Sequence, residues 1–147
     1  MLNTWLTDET ILLTDRVDDW RQAVAQVAAP LLANHIIDAG YVDAIYRQHQ
    51  ALGPYYVLAP GIAMPHARPE EGARSLGLSL LLIRQGVCFL SSDNDPVYLV
   101  VMLSAPDNNS HVELIAELAE LFSCEQDIQA IRQATTIEEI KKIIAHY

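Results

Sequence analysis

The stretch Ala59-Pro-Gly-Ile-Ala-Met-Pro-His-Ala-Arg-Pro-Glu-Glu-Gly-Ala73 places a histidine and an arginine in unusually restrained backbone. Three prolines and two glycines surround His66 and Arg68. A short apolar run carries the chain to Pro65, and the imidazole follows at once. A rigidly held polar side chain just past a strand is one way to build a site. Histidine is nucleophilic when neutral, so His66 can take a phosphoryl group in line from a donor. Such a transfer needs positioning and charge stabilisation more than covalent help. Arg68, two residues on, offers a planar fork for phosphoryl oxygens. Two plainer readings stand beside these: His66 as an idle turn residue, and Arg68 in a surface ion pair with Glu70 or Glu71.

His111 is the second candidate. It follows the polar run Asp107-Asn108-Asn109, and Ser110 with Glu113 has the spacing of a capping box. That spacing predicts His111 in the first turn of a helix, where free N–H groups favour an anion. Its plainer reading is an exposed helix-start histidine. His35, His49 and His146 sit at helix exits or near the chain end, and the expectation for them is solvation. His66 and His111 form no zinc-type spacing with one another or with cysteine pairs. The adjacent Glu70 and Glu71 diverge in a turn or strand, which argues against a carboxylate pair. No Walker-type glycine loop or nucleophile elbow occurs. The expectation is a site without metal or cofactor.

The elements that must hold these residues read as follows. Trp20, Ala23, Val24, Val27 and Leu31 recur at helical spacing behind Asp19, with Gln22 in the capping-box place. Tyr41 to Gln50 reads as a second helix, stopped by Gly53-Pro54. Strand-like runs cover Tyr55–Leu58, Ile62–Met64, Leu76–Ile83 and Val97–Ser104, with a polar turn over Ser91–Pro96. An apolar stripe of Val112, Ile115, Leu118, Leu121 and Phe122 marks a further helix. Thr136 with Glu139 caps a last one, ending near Lys141-Lys142. Helices, strands, then helices without strict alternation predict a three-layer α/β sandwich, a mixed sheet flanked by helices.

With 147 residues, 51% of them hydrophobic, the chain suits one domain over 1–147 with a substantial core. The net charge of −10 argues against nucleic acid, which a basic footprint would bind. No signal-like start and no long apolar run appear, so the expectation is a soluble cytoplasmic protein without membrane insertion. Cys88 and Cys124 match no metal or redox spacing and read as buried free thiols. A mean hydropathy of +0.14 leaves room for a homodimer.

The string Pro60-Gly-Ile-Ala-Met-Pro-His66 resembles the active-site signature of the mannitol/fructose-type (type 2) IIA domains of the bacterial phosphoenolpyruvate-dependent sugar phosphotransferase system. The helix from Asp19, the Gly40-Tyr-Val helix start, the Asp107-to-His111 approach and the closing helices are similar too. Gly-Pro-Tyr-Tyr-Val-Leu-Ala-Pro-Gly and Pro-His-Ala-Arg-Pro-Glu-Glu-Gly most resemble the ascorbate-like and cryptic mannitol-type branch. The resemblance implies that His66 accepts phosphoryl from the carrier protein HPr and passes it to a IIB component. A IIC permease then stands indirectly behind IIB. It implies that His111 helps to hold the phosphoryl group. A departure accompanies it: mannitol-type members carry an active-site arginine in the second helix, where Gln48 stands here. Arg47 is one residue away, a rotation of about 100° on a helix, which leaves Arg68 as a candidate cation. Two further readings are a nitrogen-type regulatory relative, whose phosphorylation state controls protein partners, and a non-catalytic module that holds an anion.

Overall fold

Strict alternation in two long apolar runs builds the centre of the sheet. In a computed structural model covering residues 1–147, β4 (Gly77–Val87) turns Leu78, Leu80 and Leu82 to one face and Leu81 and Ile83 to the other. β5 (Val97–Ser104) runs antiparallel beside it and does the same with Leu99, Val101 and Leu103 against Val100 and Met102. A strand apolar on both faces has to be covered on both faces, and it is.

On one side lie α2 (Trp20–Ala33) and α3 (Ala39–Leu52), whose Trp20, Ala23, Val24, Val27, Leu31, Tyr41 and Ile45 share a core with Leu81, Val100 and Met102. On the other lie α1 (Leu2–Trp5), α4 (Val112–Ser123), α5 (Glu125–Arg132) and α6 (Ile137–Ile144). Leu2, Leu114, Leu118, Leu121, Ile131, Ile140 and Ile144 from these pack on Leu80, Leu99 and Val101. Fully burying one such aliphatic side chain contributes about 1.5–3 kcal/mol. The three-layer sandwich expected from the sequence is therefore the fold.

Three short strands complete the sheet: β1 (Ile11–Thr14), β2 (Val57–Ala59) and β3 (Ile62–Ala63), in the order β1-β4-β5-β3-β2. β1 pairs parallel to β4, and β3 pairs parallel to β5 in the register Ile62↔Leu99, Ala63↔Val100. Pro60 and Gly61 turn the chain from β2 into β3. Pro60 presets its own φ, and Gly61 adopts φ +81°, a left-handed value suited to glycine.

Asp19 caps α2 by accepting from the Gln22 N–H at 2.9 Å, and Thr136 caps α6 by accepting from the Glu139 N–H at 3.2 Å. Several expectations shift. α1 and β1, each four residues long, have no counterpart in the sequence reading. β4 runs to Val87 rather than Ile83. Ser110 does not cap α4; His111 stands at the N-cap, and the Ser110 N–H is taken by the Asp107 carboxylate at 2.7 Å. The core stripe of α4 is Leu114, Leu118 and Leu121, so Val112 and Ile115 turn outward. Cys88 is exposed and Cys124 half-buried, not the buried thiols expected. No helix is long and apolar enough to cross a membrane.

His35 and His146 are exposed, but His49 is not solvated: it is 2% exposed. Its ring stacks on Trp20 with centroids 3.8 Å apart, and its Nδ1 lies 2.7 Å from the Tyr56 hydroxyl. Burial lowers its pKa below the ordinary 6.5, because desolvation disfavours the imidazolium. The unfolded chain then binds the proton more readily. This contribution to stability is complete above about pH 6.5 and is lost as pH falls below it. Urea unfolding at about pH 7.5 and about pH 5.5 should show a larger loss of stability for the native protein than for His49→Phe. Equal losses in the two proteins contradict the assignment.

Candidate active site

Parallel strands end at the same sheet edge, and ligands bind at carboxyl ends of strands in open α/β sheets. β3 and β5 are such a pair, so Met64-Pro65-His66 after β3 and Ala105 to His111 after β5 emerge side by side. Both histidines line one cavity of about 510 Å³, together with Tyr41, Gln48, Tyr55 and Arg68 among others.

Two tethers hold the β3 exit. The Met64 N–H donates to the Tyr56 carbonyl at 2.9 Å. The buried Tyr41 hydroxyl donates to the Leu103 carbonyl at 2.7 Å, with the Ala67 carbonyl 3.4 Å away. Burial pushes the Tyr41 phenol up to about 12, so it keeps the proton that it donates. One side chain thus spans the end of β5 and the segment after His66.

His66 is half-buried, and its Nδ1 lies 2.8 Å from the Met64 carbonyl oxygen. A carbonyl only accepts, so Nδ1 carries the proton and donates it. Nε2 of the same neutral ring is then an unprotonated lone pair. The tautomer is set by backbone geometry and leaves one nucleophilic atom.

Arg68 precedes the 3-10 turn Pro69–Glu71 and is exposed at the cavity. It pairs with neither Glu70 nor Glu71. Glu71 instead meets Arg47 at 3.5 Å on the outer surface, an exposed pair worth about 0–1 kcal/mol. The helical rotation between Arg47 and Gln48 has the consequence expected of it: Gln48 faces the cavity and Arg47 does not line it. Arg68 is the cavity's arginine.

His111, half-buried at the start of α4, has a buried Nδ1 with no hydrogen-bond partner. Asp107 stands at the rim, where the N–H groups of Ser110 and Asn109 hold its carboxyl below the usual carboxylate range. Nowhere do three His, Cys, Asp or Glu side chains converge as metal ligands. The sequence reading passed over Tyr55 and the side-chain role of Gln48. The Tyr55 hydroxyl lies 2.8 Å from both the His66 carbonyl oxygen and Gln48 Oε1. The doubled tyrosine before the turn was the only signal available, and it does not say which ring faces the histidine.

A mixed sheet between two helical layers, with two histidines and an arginine over its strand ends, defines a candidate group-transfer site. The family description "Phosphoenolpyruvate-dependent sugar phosphotransferase system, EIIA 2" matches residues 4–147. The chain belongs to this family: it is a phosphoryl-carrier IIA component of a phosphotransferase system. It is 38% identical over 144 residues to the mannitol-specific cryptic phosphotransferase enzyme IIA component of Escherichia coli K12, covering 98% of this chain and 97% of that one. It is 35% identical over 138 residues to the ascorbate-specific PTS system EIIA component of the same strain, covering 93% and 90%. The solution structure of the E. coli cryptic mannitol IIA superposes with a TM-score of 0.92 at 36% identity, covering 99% of each chain.

The tautomer is directly observable. Ring ¹⁵N NMR near pH 8 should show His66 with a protonated Nδ1 and a bare Nε2, against the mixture of forms shown by a free imidazole. A predominant Nε2–H form would contradict the Met64 hydrogen bond.

Proposed function

We propose that His66 is the phosphorylated residue, that it receives phosphoryl from phosphorylated HPr, and that it delivers it to a IIB component. The observation that carries this reading is the hydrogen bond from Nδ1–H to the Met64 carbonyl, which leaves Nε2 bare inside the shared cavity. The Nε2 lone pair forms the new P–N bond as the donor's P–N bond breaks, its electron pair returning to the donor's imidazole. The His66 ring gains positive charge in this step, and the Met64 carbonyl, accepting from Nδ1–H, stabilises it. Arg68, free of any carboxylate partner, gives charge-assisted hydrogen bonds to the phosphoryl oxygens, and His111 gives one more. In transfer to IIB an acceptor nucleophile attacks phosphorus as the His66 P–N bond breaks, and its electron pair returns to Nε2.

A relay must also let go. The Asp107 carboxylate at the rim repels a phosphoryl group, which opposes a deep trap. Leu52 and Ile115 line the cavity and are 74% and 37% exposed. This apolar rim suits brief docking of both partners, and the net charge of −10 speeds encounter with basic surfaces at low salt. The system served is of the ascorbate-, mannitol- or other polyol-type, in keeping with the names of the two relatives. The place of work is the cytoplasm, with the IIC permease reached through IIB. The regulatory, nitrogen-type alternative has no particular residue in its favour.

Incubation with phosphoenolpyruvate, the system's first enzyme and HPr should add one acid-labile phosphoryl group by intact mass, and none to His66→Ala. An unmodified native protein would refute the relay. Arg68→Ala should slow single-turnover transfer about 10- to 100-fold, the scale of a lost charge-assisted hydrogen bond, while Arg47→Ala stays within about twofold. Equal rates in the two variants remove Arg68 from the mechanism.

A further inference from the structure

We propose that Tyr55 is a positioning residue for His66, holding the imidazole in the orientation that presents Nε2, and that Gln48 locks Tyr55 in place. This rests on His66 being the phosphorylated residue. The segment Met64-Pro65-His66 leaves β3 and enters no helix or strand, so no ladder fixes it. Its two ends are tied by neighbouring residues. The Tyr56 carbonyl accepts the Met64 N–H at 2.9 Å, and the Tyr55 hydroxyl donates to the His66 carbonyl at 2.8 Å. The imidazole hooks back to the Met64 carbonyl across this same three-residue span. With the Met64 N–H and the His66 carbonyl both tied, the Cα that carries the ring is held, and the imidazole keeps its reach to the Met64 carbonyl. The Tyr55 ring adds a third restraint, edge-on to the imidazole with centroids 5.8 Å apart at 76°.

Tyr55 is itself braced. It meets the Tyr56 ring at 5.1 Å and 81°, and Tyr56 is fully buried against His49 and Phe89. A phenol has one proton, yet two acceptor positions lie 2.8 Å from it. Both contacts are satisfied when the Gln48 amide turns its NH₂ toward the Tyr55 oxygen, leaving the phenol proton for the His66 carbonyl. Burial raises the Tyr55 pKa, which keeps that proton in place. Gln48 suits this task because an amide can donate. A carboxylate at 48 would instead capture the phenol proton and release the His66 carbonyl.

Two variants test the proposal, Tyr55→Phe and Gln48→Glu, each followed by single-turnover transfer from phosphorylated HPr and by His66 ring ¹⁵N NMR. Tyr55→Phe keeps the ring and removes the hydrogen bond. It should slow the maximal rate about five- to tenfold, leave the half-saturating HPr concentration within about twofold, and shift the ¹⁵N signals toward a mixture of tautomers. Gln48→Glu should do the same. A native-like rate in Tyr55→Phe overturns the proposal, and so does a slower rate with an unchanged ¹⁵N pattern. Should circular dichroism show Tyr55→Phe unfolded, Gln48→Glu decides by the same criteria. A native protein that takes no phosphate at all refutes the relay reading instead, and the ¹⁵N comparison still decides the positioning.

Discussion

The site depends on the pairing of two residues, Ile62 and Ala63, with Leu99 and Val100 in the interior of the sheet. Because that pairing is parallel, the carboxyl ends of β3 and β5 open at one edge, and His66 and His111 emerge there together. An antiparallel β3 would send His66 to the opposite edge of the sheet. Ala63, Leu99 and Val100 are at most 1% exposed, and Ile62 only 3%. A one-residue slip would turn every buried side chain of this strand to the wrong face. The register is therefore held by the core, and the chemistry inherits its precision from it.

Upon that frame the electrostatics are simple. One backbone carbonyl chooses the tautomer of His66 and, in the proposed relay, supports the positive charge that phosphorylation would create. One arginine without a carboxylate partner faces the same cavity. In the same proposal the Asp107 carboxylate at the rim opposes over-tight holding. In our account Tyr55 and Gln48 add orientation rather than charge. On that proposal Arg68, which lines the cavity, supplies the cation that the resemblance would place in the second helix, and Gln48 serves as a support.

Much of this was legible in the chain. The α2 face from Trp20 to Leu31, the caps at Asp19 and Thr136 and the strand at Val97–Ser104 follow from local periodicity and side-chain chemistry. The restrained His66–Arg68 stretch follows in the same way. What was not legible is tertiary in origin. α1 and β1 are too short to show a period; Leu2 and Ile11 are buried only because the far helical layer and β4 meet them. The Ser110–Glu113 spacing imitates a capping box, but Asp107 outcompetes it for the loop N–H groups. His49 sits in a helix tail that reads as solvated, and Trp20 and Phe89, both distant in sequence, bury it together with Tyr56 from just past the following turn. Tyr55 and Gln48 meet because Gly53, at φ +82°, ends α3 and folds the chain back along it, a path that helical periodicity does not give.

The central claim is that the Met64 carbonyl directs phosphoryl to a single atom. It is tested most directly by ³¹P–¹⁵N coupling in the phosphorylated, ring-labelled protein. The account predicts coupling to Nε2 of His66 alone, with Nδ1 still bearing its proton. Phosphorus bound to Nδ1 of His66, or to His111, would contradict it.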